Sequence, residues 1–210
     1  MKKATFGAGC FWGLEAAFRK VEGVYSTSVG YMGGHFPNPC YLDVLSRITG
    51  HAEVVQVEYD PKIVSYDNLL AMFWDIHDPT TLNRQGPDKG EQYRSVIFYH
   101  DAQQKQLAQQ SKAKLQMSGR FDKDIVTEIK PASEYYLATE EHQQYFEKMG
   151  IRVQTVAIAS QKWGMSPSQI ASEYELTEVQ VKEALSFYAV NKVQIDAAIA
   201  SEQSLEIANG

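Results

Sequence analysis

The texture of the chain changes once, near Gly150, and this change restricts the folds open to it more than any bulk property does. Residues 1–149 are rich in glycine and aromatic residues and carry alternating strand-like runs, whereas 150–210 contain few glycines and read as consecutive helices. Two domains are therefore expected, 1–149 and 150–210. In the first, residues 4–7 form a short strand, and Leu14, Ala17, Phe18 and Val21 have the spacing of one helical face. An alternating strand over 25–31, a loop with Gly and Pro over 32–41 and a strand over 52–59 ending at Asp60-Pro61 come next. A helix over 66–77, a polar loop over 78–92 and a buried strand over 95–99 follow. Asp101 caps a helix to about Met117, and 125–129 supplies the last strand. The order β-α-β-β-α-β, with additions, is that of an α+β ferredoxin-like two-layer sandwich with extensions. A small all-α C-terminal domain follows it.

In the last sixty residues, Ser166-Pro167-Ser168-Gln169 and Thr177-Glu178-Val179-Gln180 each have the form of a capping box. Ile170 with Tyr174, and Val179, Val181 and Leu185 with Tyr188, give apolar stripes, and 191–208 reads as a closing helix.

With 20 basic and 26 acidic residues the formal net charge is −6, which argues against a sequence-independent nucleic-acid surface. The two lysines of the N-terminus precede no apolar run of the length that a signal peptide or a membrane span needs, so a cytoplasmic location is the default. Only Cys10 and Cys40 are present, and in a reducing compartment such thiols are more often free or redox-cycling than bridged.

Cys10 falls between a strand and a helix, so its sulfur is expected to face the unpaired N–H groups and positive dipole end of the helix that begins near Phe11. That environment favours the thiolate, the form that attacks. Placement alone also fits an inert core cysteine. Gly7-Ala8-Gly9 suggests a dinucleotide loop, but Gly13 falls one position late and Phe11-Trp12 would crowd a pyrophosphate. The histidines at 35, 51, 77, 100 and 142 show no paired ligand spacing, so no metal is expected, and they read as loop and capping residues.

Gly9-Cys10-Phe11-Trp12-Gly13-Leu14-Glu15 resembles the signature of peptide methionine sulfoxide reductase type A. The blocks Thr49-Gly50-His51-Ala52-Glu53, His77-Asp78-Pro79-Thr80-Thr81, Gln92-Tyr93-Arg94-Ser95 and His142-Gln143-Gln144-Tyr145 follow in the family's order. The resemblance implies that Cys10 attacks a sulfoxide sulfur while Glu53, kept protonated by burial, gives its proton to the oxygen. It implies that Tyr41 and Tyr93 hold that oxygen with Asp88 nearby, and that Phe11 and Trp12 wall the methyl group. Taken singly, each residue has a plainer reading: a surface carboxylate for Glu53, core packing for the aromatics, a turn for Asp88.

The resemblance further implies reduction of methionine S-sulfoxide, protein-bound or free, through a Cys10 sulfenic acid, in repair of oxidised proteins. No organic cofactor or metal is called for, and electrons would come from thioredoxin or another thiol. The family's cysteine-bearing tail is missing, which leaves Cys40 as a candidate resolving thiol. In its place, 150–199 resembles a helical domain of some VapB-type antitoxins. A helix-turn-helix form would suggest DNA, but four basic and seven acidic residues over 151–210, a net of −3, fit protein docking or dimerisation better. Two other readings of Cys10 stay open: a redox sensor or binding module with little turnover, and an acyl hydrolase with His51 as base.

Overall fold

A computed structural model describes residues 1–148, 153–174, 176–193, 195–197 and 199–200. The chain divides into two compact units, Met1–Tyr145 and Phe146–Gly210.

The first unit begins with β1 (Lys2–Gly7), α1 (Phe11–Phe18), β2 (Val24–Met32), α2 (Tyr41–Leu45), β3 (Ala52–Tyr59) and α3 (Tyr66–Asp75). It continues through a small hairpin of β4 (Arg84–Gln85) and β5 (Asp88–Lys89), then β6 (Val96–Tyr99), α4 (Ala102–Met117), β7 (Glu128–Pro131) and β8 (Tyr135–Leu137). The six-stranded sheet has the order β7-β6-β1-β3-β2-β8. Its centre, β6-β1-β3-β2, is antiparallel throughout and is the split β-α-β arrangement expected of a ferredoxin-like sandwich. β7 extends one edge in parallel to β6, and β8 extends the other antiparallel to β2.

Side-chain alternation assigns the two faces. Phe6, Val55, Val57 and Ile97 pack with Leu14 and Phe18 of α1 and Leu69, Leu70 and Phe73 of α3 in the main core. Met32, Ala52, Val54, Val96 and Phe98 form a smaller cluster. Glu53 and Tyr31 have the parity of Val55 and Val29, so they lie on the helix-bearing face. Ser65 caps α3 and Asp101 caps α4, each accepting from the backbone N–H three residues on.

Some elements differ from expectation. The strand expected over 125–129 begins only at Glu128, because the Ile125 N–H donates to Gln116 and the Val126 N–H to the Pro79 carbonyl, which leaves neither for a ladder. α3 stops at Asp75, and His77 turns its ring back so that Nδ1–H donates to the Phe73 carbonyl at 2.6 Å and Nε2 accepts from Ser95 at 2.7 Å. α2 and β8, one turn and three residues long, are too short to leave a periodic signal.

The second unit contains α6 (Val153–Gln161), α7 (Pro167–Glu173) and α8 (Glu178–Val190), after α5 (Tyr145–Lys148), which spans the boundary between units. Both capping boxes form, from Ser166 with Gln169 and from Thr177 with Gln180. Val156, Ala159, Ile170, Ala171, Val181 and Ala184 make its core. Val179, expected in the apolar stripe, is 60 % exposed and belongs to the polar face. The expected helix over 191–208 lies partly outside the described residues, as do 150–152. No helix among the described residues is long and apolar enough to cross a membrane.

Candidate active site

β1 ends at Gly7 and α1 starts at Phe11, so Cys10 is the N-cap of α1, with extended backbone (φ −60°, ψ 126°) and a half-buried side chain. Gly9 enters the turn at φ +85°, where a Cβ would sit 2.8 Å from Cγ of Gln85. Its missing side chain makes room for Gln85, and its N–H donates to the Tyr93 carbonyl at 3.2 Å. One loop thus ties the cysteine to the Tyr93 turn.

An N-terminal helix N–H is orphaned unless a side chain accepts it. At α1 the acceptor is Glu53, whose Oε2 takes the Phe11 N–H at 3.1 Å although 42 residues separate the two. Glu53 is 1 % exposed, so the carboxyl is a buried group at the mouth of the helix whose N-cap is Cys10.

Aromatic rings enclose this pair. Phe11 is buried and lies 5.8 Å from the Tyr31 ring and 5.6 Å from His142. Trp12 stacks on Tyr145 at 3.6 Å and donates from Nε1 to His142 Nδ1 at 3.2 Å. Tyr41, the first residue of α2, lies 4.5 Å from His142. Burial pushes the Tyr93 phenol well above its usual range, and the nearby Glu53, Cys10, Tyr41 and Asp88 push it further. Burial likewise raises Tyr31, helped by Glu53, Tyr41 and Cys40. Asp88, in the short hairpin, is raised by burial alone.

The fold therefore gathers Cys10, Phe11, Trp12, Tyr41, Glu53, Asp88 and Tyr93, residues from distant parts of the sequence, around one helix start. Cys40 is exposed at the N-cap of α2 and close enough to Tyr31 to act on its phenol. Tyr31, His142 and Tyr145 join these residues without a site role expected from the sequence. Tyr31 had a usable signal, the inward phase of its strand, and becomes a neighbour of Glu53 only when the β2/β3 register is known. His142 is more than a loop residue, since it holds the Trp12 indole, and burial lowers its basicity.

His51 is not placed to serve Cys10. Its Nδ1 accepts from the Gly34 N–H at 3.0 Å and its Nε2–H donates to the Phe36 carbonyl at 2.8 Å, so both ring nitrogens hold the 34–36 loop. The described residues contain no group of three His, Cys, Asp or Glu side chains able to hold a metal ion.

A half-buried cysteine and a buried carboxyl thus share one helix start, walled by aromatics on a ferredoxin-like sandwich, and likeness to known proteins supplies the class. A sequence profile described as peptide methionine sulfoxide reductase matches residues 2–174, so the chain belongs to that family. The protein named peptide methionine sulfoxide reductase MsrA 1 from Nostoc sp. is 84 % identical over 152 residues, which are 72 % of this chain and 93 % of that one. The MsrA of Methanothermobacter thermautotrophicus is 65 % identical over 147 residues, 70 % of this chain and 87 % of that protein. Among solved structures, reduced Mxr1 from Saccharomyces cerevisiae aligns with a TM-score of 0.66 at 39 % identity, covering 70 % of this chain and 84 % of that one. Methionine sulfoxide reductase A of Corynebacterium diphtheriae aligns at 0.63 and 41 %, covering 70 % and 74 %. The protein is an enzyme, a peptide-methionine (S)-S-oxide reductase.

Proposed function

We propose that Cys10 is the nucleophile and Glu53 the acid of this reductase. The hydrogen bond from Phe11 N–H to Glu53 carries the assignment, because it fixes the carboxyl at the same helix start that the cysteine caps. The positive end of α1 favours a thiolate at Cys10. Burial of Glu53 disfavours its anion, which suits a group that must arrive protonated. The Cys10 sulfur attacks the sulfoxide sulfur while the Glu53 proton passes to the oxygen. Methionine leaves reduced by two electrons, and Cys10 is left as sulfenic acid.

Tyr41 and Tyr93 hold the sulfoxide oxygen in this scheme, with Asp88 at the rim, while Phe11 and Trp12 wall the methyl group. The Tyr145 stack and the His142 hydrogen bond fix the Trp12 indole in place. Cys40 resolves the sulfenic acid, forming a Cys10–Cys40 disulfide and releasing water. Thioredoxin or another thiol reduces that disulfide, and the substrates are oxidised proteins and the free amino acid sulfoxide, met in the cytoplasm. Residues 1–149 are the catalytic domain, and the net-acidic helical unit after it docks a protein partner rather than nucleic acid.

One turnover with methionine S-sulfoxide, without added thiol, tests both sulfur roles by mass spectrometry of the products. Wild type is expected to show a Cys10–Cys40 disulfide, and Cys40→Ser a sulfenic acid trapped by dimedone at Cys10 alone. A dimedone adduct at Cys40 in Cys10→Ser would reverse the assignment, and a persistent Cys10 sulfenic acid in wild type would remove Cys40 from the cycle.

A further inference from the structure

Tyr31 is 1 % exposed, yet its hydroxyl has no hydrogen-bond partner among the described residues. A buried phenol usually finds a partner, and one left without calls for an explanation. Tyr66 also lacks one, but it stacks on Phe6 in the main core, beside no group used in the chemistry. Tyr31 is the direct cross-strand partner of Glu53 on the same face of the sheet, and its ring lies against Phe11, whose N–H already binds that carboxyl.

We propose that Tyr31 is a positioning residue for Glu53: its hydroxyl donates a hydrogen bond to the Glu53 carboxylate formed when the sulfoxide oxygen takes the proton. This rests on Glu53 being the acid. Of the charged groups that bear on the Tyr31 phenol, Glu53 acts more strongly than Tyr41 and Cys40 of the α2 segment or Glu141. The Tyr31 hydroxyl then adds a donor to the charged form of the Glu53 carboxyl, beside the Phe11 N–H that it already accepts. A donor that engages only the product of proton transfer lowers the barrier to that transfer.

The groups facing Glu53 include the Phe11 N–H at the α1 start and Tyr31 on β2, and Tyr93 feels Glu53 together with Cys10, Tyr41 and Asp88. Removing the Tyr31 hydroxyl takes away support for the anion alone, so Glu53 keeps its proton to higher pH and becomes a weaker acid. Tyr31→Phe is therefore expected to slow single-turnover methionine formation about tenfold. Its alkaline fall in rate should move to higher pH, with the melting temperature equal to wild type or above it.

Glu53→Gln, run beside it, must lose the single turnover for the acid assignment to stand. If Glu53→Gln keeps wild-type rate, that assignment and this inference fall together. If Glu53→Gln is dead while Tyr31→Phe keeps the wild-type rate and pH profile, this inference alone is wrong. Slowing of Tyr31→Phe with an unmoved alkaline limb, or with a lowered melting temperature, would assign the hydroxyl to structure and also overturn it.

Discussion

The two units are built on opposite principles. In Met1–Tyr145 the site comes from long-range pairing: Glu53 meets a backbone N–H 42 residues away, and the Trp12 indole meets a ring 130 residues away. In Phe146–Gly210, α7 and α8 start from capping boxes four residues long and close a small core with α6. All five histidines and both cysteines of the chain fall in the first unit. The groups of the proposed chemistry therefore sit where tertiary structure must be right.

The largest effect expected to sharpen this contrast is from Ile170→Ala. Ile170 is fully buried in the second core, so the change should destabilise that unit by about 2–5 kcal/mol. Single-turnover methionine formation should be unchanged. Differential scanning calorimetry with a parallel activity assay checks this, and an equal loss of activity would erase the contrast.

A smaller effect is expected from pH on the first unit alone. Burial pushes His77 down to about 4, below its ordinary value of 6.5, so the folded protein binds this proton less readily than the unfolded chain. Stability then falls as pH drops through the unfolded value and levels off below the folded one, by about 2 kcal/mol at pH 5. The second unit has no histidine to lose stability in this way. Urea melts at pH 7 and pH 5, followed by signals specific to each unit, would show whether the loss is confined to the first. The smallest effect is Thr177→Ala, which removes the acceptor for the Gln180 N–H and should cost about 1 kcal/mol in the second unit's melt.

How much could be read in advance follows the same division. The caps at Asp101, Ser166 and Thr177 were legible because the donor is three residues from the acceptor and no other part of the fold decides the matter. The strand, turn and helix around Cys10 were legible for the same reason. Glu53 could be placed on a strand, but its bond to the start of α1 depends on β3 lying beside β1. Tyr31 needed the register of β2 against β3, and the part played by His142 and Tyr145 needed the chain to return to α1. Val179 shows the converse: an apolar residue near a helix start suggests a core position, but the helix turns it to solvent.

In the proposed reaction the Cys10 sulfur is the atom that takes the oxygen. The most direct test of this is methionine formed per enzyme from the S-sulfoxide in a single turnover, wild type against Cys10→Ser. The expected result is close to one methionine per wild-type chain and none from the variant, with the R-sulfoxide untouched by both. Methionine from Cys10→Ser at the wild-type rate would contradict it.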